Sequence, residues 1–145
     1  MQSVLILHGP NINLLGVREP NIYGDLTLAE IDERLVEAGK EQGLEVHTAQ
    51  SNIEGVLIDK LHDARLWAKG VIINPGGYTH TSIALRDAVS AIGIPVIEVH
   101  LSNIYAREGF RHTSMIAGVC AGKIVGFGWR SYLLALIALK ELIAG

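Results

Sequence analysis

The sequence contains only one cysteine, Cys120, so it can form neither an internal disulfide nor a metal site made of several cysteines. It also lacks any apolar run of about eighteen residues, the length that a membrane-spanning helix requires. Its 12 Lys and Arg residues are spread along the chain instead of forming runs, and the net charge is −3. Such a chain has no basic field that would attract nucleic acid. We therefore expect neither a membrane nor a nucleic-acid partner.

The N-terminus lacks the pattern of a secretory signal. The apolar run VLIL begins at Val4, but no basic segment precedes it and no small-residue cleavage site follows it. We interpret this run as a strand and expect a cytoplasmic protein. With 49% hydrophobic and 19% charged residues, no repeat and no break in composition, residues 1–145 are expected to form one globular domain.

Short apolar runs alternate with amphipathic segments along the whole chain. The pattern predicts five strands, at 3–9, 44–49, 70–76, 94–101 and 119–128, and four long helices, at 26–39, 52–64, 81–92 and 131–145. Thr27 with Glu30, and Ser51 with Glu54, have the spacing of a capping box and predict where the first two helices begin. The strands are continuously apolar, as expected when helices cover both faces of a parallel sheet. An α/β doubly wound sheet is predicted.

In such a sheet, ligands bind outside the carboxyl ends of the strands. One predicted strand end leads into residues 74–80, NPGGYTH, where two glycines would let backbone N–H groups approach an anion near a helix start. An ordinary strand-to-helix turn needs the same residue types, so this segment alone leaves both interpretations open. Asn74 and His80 favour a binding site slightly.

The fourth predicted strand ends in Glu98-Val99-His100. Since alternate residues of a strand face the same side, the carboxylate of Glu98 is placed to orient the ring of His100. A strand-end histidine is also often merely hydrogen-bonded. Leu101 and Ser102 follow with loop amides and a hydroxyl. The next charged groups could hold hydroxyls or a carboxylate of a ligand, although solvated surface is their commoner fate: Arg107, Arg111 and His112.

The loop after the first strand is long for a strand-to-helix connection, which favours a functional lid at about residues 16–24. It is bracketed by Gly16 and Gly24 and carries Arg18 and Tyr23. A tyrosine in water ionises only near pH 10, but a nearby guanidinium favours the phenolate. The loop thus carries a candidate base and a cation to activate it, unless the aromatic side chain only anchors the loop and the arginine lies on its surface.

Several separated motifs together resemble one family, the type II 3-dehydroquinases, over essentially the full length. They are GPNINLLGVREPNIYG at 9–24, HTAQSNIEG at 47–55, INPGGYTHTSIALRDA at 73–88, EVHLSNIYAREGFRH at 98–112 and GKIVGFGWRSYLLAL at 122–136. The resemblance implies a flavodoxin-like three-layer sandwich with a five-stranded parallel sheet. Two departures are small: His8 stands where many members carry asparagine, and Ile12 where leucine is usual. We expect them to affect only the packing of the loop.

The resemblance also implies roles for individual residues. Tyr23 matches the family's base, Arg18 the arginine that activates it, His100 the proton donor, and Asn11 the asparagine that holds a water near the developing enolate. With these we place Glu98, which would orient His100. The positions that match the family's substrate-binding residues are Asn74, His80, Asp87, Leu101, Ser102 and Arg111.

The implied activity is that of a hydro-lyase: the metal-free anti elimination of water from 3-dehydroquinate, through an enolate, to give 3-dehydroshikimate in the shikimate pathway of aromatic amino acid biosynthesis. No cofactor and no metal are expected. The resemblance further implies a homododecamer of four trimers, in which the Asp87 counterpart reaches a neighbour's active site.

The residues themselves favour an enolate over a covalent intermediate. A route through a Schiff base would need a lysine at the carboxyl end of a strand. The predicted elements place none there: three lysines lie on helices, one precedes the third strand and one lies within the fifth, namely Lys40, Lys60, Lys140, Lys69 and Lys123.

Three other functions fit the predicted fold less well. A flavin-binding carrier would have a hydroxyl-rich phosphate loop after the first strand, and GPNINLLG has no hydroxyl. A phosphoacceptor module would have carboxylates at strand ends where this chain has His8 and Asn74. A metal-dependent hydrolase would need ligands that converge from separate strands, such as His8, His80 and either Asp87 or His100. The last alternative stays open to a chelator test.

Overall fold

A computed structural model describes residues 1–17 and 19–144. Five strands form one all-parallel sheet in the order β2-β1-β3-β4-β5, which is the order of flavodoxin-like folds. The strands are β1 Gln2–His8, β2 Leu44–Gln50, β3 Val71–Asn74, β4 Val96–His100 and β5 Gly122–Val125. The predicted fold class is confirmed. Because the chain order reverses between β1 and β3, the crevice for ligands lies at the carboxyl ends of these strands.

Helices cover both faces of the sheet. The helices are α1 Pro20–Tyr23, α2 Leu28–Glu41, α3 Glu54–Ala64, α4 Ile83–Ala91 and α5 Arg130–Ile143. One core cluster packs α2 and α5 against side chains such as Ile6 and Ile72, and a second packs α3 and α4 against side chains such as Leu7 and Ile73. Alternate residues of the central strands therefore supply the two cores, which explains why these strands are continuously apolar.

The two predicted capping boxes have different outcomes. At α2, Thr27 accepts from the backbone N–H of Glu30, and the Glu30 carboxylate accepts from the N–H of Thr27. At α3 the prediction was wrong, because the N-cap is Ile53 and no side chain caps it. The Ser51 hydroxyl accepts from the N–H of Ile53 instead, a local turn that competes with the cap.

The outer strands differ from the predicted continuous apolar pattern. In β2, Glu45 and His47 are exposed while Leu44 and Val46 are buried, because the strand lies at the edge of the sheet. The fifth strand is also shorter than the sequence predicts, since Val119 lies in a 3-10 turn before it. Among the described residues, no helix is both long enough and apolar enough to cross a membrane.

Candidate active site

A cavity of about 140 Å3 opens at the carboxyl ends of β1, β3 and β4. This is the edge of the sheet at which the sequence predicts chemistry, and the volume suits a small ligand instead of a dinucleotide. The predicted catalytic residues Asn11, Tyr23 and His100 line it. So do most of the predicted substrate-binding residues, which are Asn74, His80, Leu101, Ser102 and Arg111. Residues from widely separated motifs thus converge on one small cavity.

Close packing of two loops forms one wall of this cavity. A Cβ on Gly9 would lie 2.7 Å from the carbonyl carbon and oxygen of Pro75, and a Cβ on Gly76 would lie 3.0 Å from the carbonyl oxygen of Pro10. Gly76 also has a φ of 57°, which side-chain-bearing residues rarely adopt. The glycines after β1 and β3 therefore let the two strand ends approach each other, and this approach brings Asn11 and Asn74 to the same cavity.

Glu98 lies behind His100 instead of lining the cavity. Its side chain is fully buried on β4, and its Oε2 lies 2.5 Å from Nε2 of His100. Burial opposes ionisation of Glu98, but hydrogen bonds from His100 and Ser114 and the nearby charge of Lys123 outweigh it and lower the carboxyl pKa. Glu98 is thus a carboxylate that holds Nε2 of His100. The other ring nitrogen, Nδ1, is left for a ligand in the cavity.

His80 is held as a neutral imidazole beside His100. Its Nδ1 lies 2.8 Å from the carbonyl oxygen of Thr113, so Nδ1 carries the proton that is donated there. Burial lowers the pKa of His80, and the charges of His100 and Arg111 lower it further, against the Thr113 hydrogen bond. Its ring stacks on that of His100 with centroids 6.4 Å apart. The remaining nitrogen, Nε2, can therefore accept a hydrogen bond from a ligand hydroxyl.

Arg107 brings a positive charge to Tyr23. Its Nη1 donates to the Tyr23 hydroxyl at 2.6 Å, and its guanidinium carbon lies 5.3 Å from the centre of the Tyr23 ring. The same nitrogen lies 3.4 Å from Oγ of Ser102. The sequence prediction paired Tyr23 with Arg18, which lies outside the described residues. The signal for Arg107 was its position in the segment after β4, but spacing alone could not link it to a tyrosine 84 residues away.

The loop after β1 carries two unusual backbone conformations. Asn11 has a φ of 68°, and its backbone N–H donates to Oδ1 of Asn52 at 3.0 Å. Glu19 has a φ of 43° and is the N-cap of α1, the single turn that carries Tyr23 toward the cavity. Asparagine tolerates this region better than most residues, whereas glutamate does not. Within the predicted lid, Pro20–Tyr23 therefore form a helical turn whose N-cap has a strained conformation.

Besides Glu98, two predicted site residues are not shown at the cavity. Asp87 is exposed on α4 and does not line it. Arg18 is not among the described residues.

The metal hypothesis used His8 as a ligand. His8 is fully buried, with Nδ1 2.8 Å from Oη of Tyr132 and Nε2 2.7 Å from Oδ1 of Asp32. In the part of the chain that the structure describes, no three His, Cys, Asp or Glu side chains are placed to hold a metal ion.

Known proteins are similar to this chain in sequence and in fold. The family described as dehydroquinase class II matches residues 2–140. A 3-dehydroquinate dehydratase from Rhizobium johnstonii is 56% identical over 143 residues, which cover 99% of this chain and 99% of the relative. One from Gloeothece citriformis is 59% identical over 139 residues, 96% of this chain and 91% of the relative. The crystal structure of a type II dehydroquinase from Propionibacterium acnes matches with a TM-score of 0.94 and 42% identity, covering 97% of each chain.

Proposed function

Since the chain belongs to the dehydroquinase class II family, we propose that it removes water from 3-dehydroquinate to give 3-dehydroshikimate by an anti elimination. The observation that carries the proposal is one cavity with a cation-bound tyrosine and a carboxylate-bound histidine. Arg107 holds the hydroxyl of Tyr23, and Glu98 holds the ring of His100. These pairs supply a base and an acid, which are the two groups that an elimination needs.

The first step is removal of a proton from the carbon next to the ketone. Tyr23 as phenolate accepts this proton, and the electron pair moves to the carbonyl oxygen to form an enolate. A positive charge at hydrogen-bond distance favours the phenolate, and Arg107 supplies one. Asn11 would hold a water against the enolate oxygen, which lowers the cost of its negative charge. Arg18 is proposed to add to the activation of Tyr23.

The second step expels the neighbouring hydroxyl. The electron pair returns from the enolate, the carbon–oxygen bond breaks, and His100 gives a proton to the departing oxygen so that water leaves. Glu98 stabilises the imidazolium that must exist before this transfer. A Schiff base is not needed: Lys123, the lysine beside this pair, lies 3.6 Å from Oε2 of Glu98 and does not line the cavity.

The remaining polar groups would position the substrate. Ser102 and the amides after β4, with Asn74 nearby, suit the substrate carboxylate, because Arg107 adds its charge at 3.4 Å from the Ser102 hydroxyl. His80 and Arg111 suit the ring hydroxyls. His80 is neutral because its pKa is lowered, so it accepts from a hydroxyl without attracting the carboxylate away from Ser102.

The test is ultraviolet absorbance after 3-dehydroquinate is added to the purified protein in the presence of a chelator. We expect a rise from the conjugated enone of the product, with the same initial rate with and without chelator. Activity that the chelator removes would favour the metal-dependent alternative. The absence of any rise from folded protein would overturn the proposed function.

We also propose that the active enzyme is a homododecamer of four trimers in the cytoplasm, with Asp87 of one subunit completing the site of its neighbour. The exposure of Asp87, away from its own subunit's cavity, is compatible with this role. Asp87→Ala and Tyr23→Phe should each have low activity alone. Mixed and refolded together, they should regain part of it, because some sites receive both intact residues. Failure to regain activity in oligomers that contain both variants would show that Asp87 does not act across subunits.

A further inference from the structure

A buried chain of hydrogen bonds runs from the surface of α2 to the cavity. Oδ1 of Asp32 lies 2.7 Å from Nε2 of His8, and Nδ1 of His8 lies 2.8 Å from the hydroxyl of Tyr132. The same hydroxyl accepts from Nδ2 of Asn74 at 3.2 Å. His8 and Tyr132 are fully buried, whereas the side chain of Asp32 is 25% exposed. This series of hydrogen bonds thus joins the partly exposed carboxylate of Asp32 to Asn74, a residue of the cavity wall.

The positions of the protons show that all hydrogen bonds of this series can donate in one direction. The Tyr132 hydroxyl accepts from Asn74, so its own proton is free to go to Nδ1 of His8. A neutral imidazole that accepts at Nδ1 carries its proton at Nε2, and this proton goes to the Asp32 carboxylate. Each group then donates once toward Asp32. Burial raises the pKa of Tyr132 far above its usual range, so Tyr132 stays a phenol that can donate.

Asn74 is fixed at both ends of its amide. Its Oδ1 accepts from the backbone N–H of Gly76 at 3.2 Å, and its Nδ2 donates to Tyr132. These two bonds distinguish the oxygen from the nitrogen and so exclude a flipped amide. An amide nitrogen has two N–H groups, and the bond to Tyr132 uses one of them. Since Asn74 lines the cavity, the second N–H is available to an acceptor oxygen there.

We propose that Asp32, His8 and Tyr132 are positioning residues that hold the Asn74 amide with its second N–H toward an acceptor oxygen of the substrate. The acceptor is an oxygen of the carboxylate that Ser102 and Asn74 share. This inference rests on the proposed function and deepens it, because it extends substrate recognition to residues that do not touch the cavity. Without the hydroxyl of Tyr132, the amide loses one of the two hydrogen bonds that fix its orientation and keeps only the bond from the N–H of Gly76.

The test is Tyr132→Phe, which removes one hydroxyl and keeps the ring in the core. We expect KM for 3-dehydroquinate to rise about three- to tenfold, as for the loss of one oriented hydrogen bond, with kcat within about twofold. Tyr78→Phe is the matched control, because its hydroxyl donates to the carbonyl of Asn52 and it does not line the cavity. A merely structural role would lower the melting temperature and the fraction of active protein while leaving KM unchanged.

Asp32→Ala tests the surface end of the hydrogen-bond series and leaves the side chains of the buried core in place. It should raise KM in the same direction by a smaller factor, whereas Glu33→Ala, the neighbouring exposed residue on α2, should not. A crystal structure of Tyr132→Phe provides a readout that does not need activity. We expect the Asn74 amide to rotate or to occupy two orientations there. An unchanged Asn74 together with an unchanged KM would overturn the positioning role, whereas an inactive wild-type protein would overturn the proposed function instead.

Discussion

Tyr23→Phe is expected to reduce kcat between about 100- and 10 000-fold, the range that a positioned acid or base contributes to catalysis. The substitution removes the only oxygen on the side chain that can take the proton from substrate. Tyr23 is half-buried on the short helix α1, and phenylalanine keeps the ring that packs against the core. Binding of 3-dehydroquinate should therefore change much less than turnover. Initial rates and an equilibrium binding measurement on the same preparation separate the two effects.

The matched control is Tyr105→Phe. Tyr105 is 54% exposed, lies beside Lys123 and does not line the cavity, so its loss should leave kcat within about twofold. Near wild-type turnover by Tyr23→Phe would contradict the assignment of the base and leave no role for the Arg107 contact.

Arg107 variants separate charge from geometry at the same tyrosine. Arg107→Ala should lower kcat because it removes a cation that lies 2.6 Å from the Tyr23 hydroxyl. Arg107→Lys should recover part of the loss, since lysine retains the charge but not the planar fork that reaches both Tyr23 and Ser102. We expect Arg18→Ala to depress turnover as well. If neither Arg107→Ala nor Arg18→Ala changes kcat, the phenolate is not activated by a nearby cation.

The fold follows from local patterns because its central strands are unambiguous. Val4, Ile6 and Ile72 lie in continuous apolar runs, and burial on both faces is what such runs predict. The predicted capping box at α3 was wrong because a side chain had two local partners available. Ser51 has the spacing of a capping box, but its hydroxyl is used two residues away, so α3 begins without a cap. Spacing cannot decide between two such short-range hydrogen bonds.

The site was predictable wherever the topology alone brings residues together. His100 and Asn74 end neighbouring strands, so the order of the sheet places both at the cavity. The contact between Arg107 and Tyr23 depends instead on how the loop that carries α1 and the segment after β4 fold over the strand ends. Neither periodicity nor capping describes that arrangement.

His8 is the clearest case of a residue that the sequence interpretation undervalued. Its departure from the asparagine of many family members was expected to affect only loop packing, because the resemblance gives this position no catalytic role. The structure places it in the core between Asp32 and Tyr132, both of which come from other elements. A sequence pattern assigns a strand-end residue to a face of the sheet, but it does not reveal partners 24 and 124 residues away.

His100→Ala is expected to reduce the overall elimination by about 100- to 10 000-fold through failure of the second step alone. The base Tyr23 remains, so the carbon next to the ketone should still exchange its proton with solvent. Incubation of substrate in deuterium oxide and mass analysis of unreacted 3-dehydroquinate measure this exchange. His100→Ala should incorporate deuterium faster than buffer does, whereas Tyr23→Phe should not. The pair of variants therefore assigns the two proton transfers to two residues.

The chain supplies a matched control for the carboxylate-histidine pair. Glu45 and His47 have the same spacing on β2, with 3.0 Å between Oε1 and Nε2, but both side chains are exposed. His47→Ala should leave turnover unchanged. Glu98→Gln should lower kcat about tenfold without abolishing it, because glutamine can still accept from Nε2 of His100 but no longer balances an imidazolium. Normal elimination by His100→Ala would move the proton donor elsewhere, and His80, whose ring lies 6.4 Å away, would be the next residue to replace.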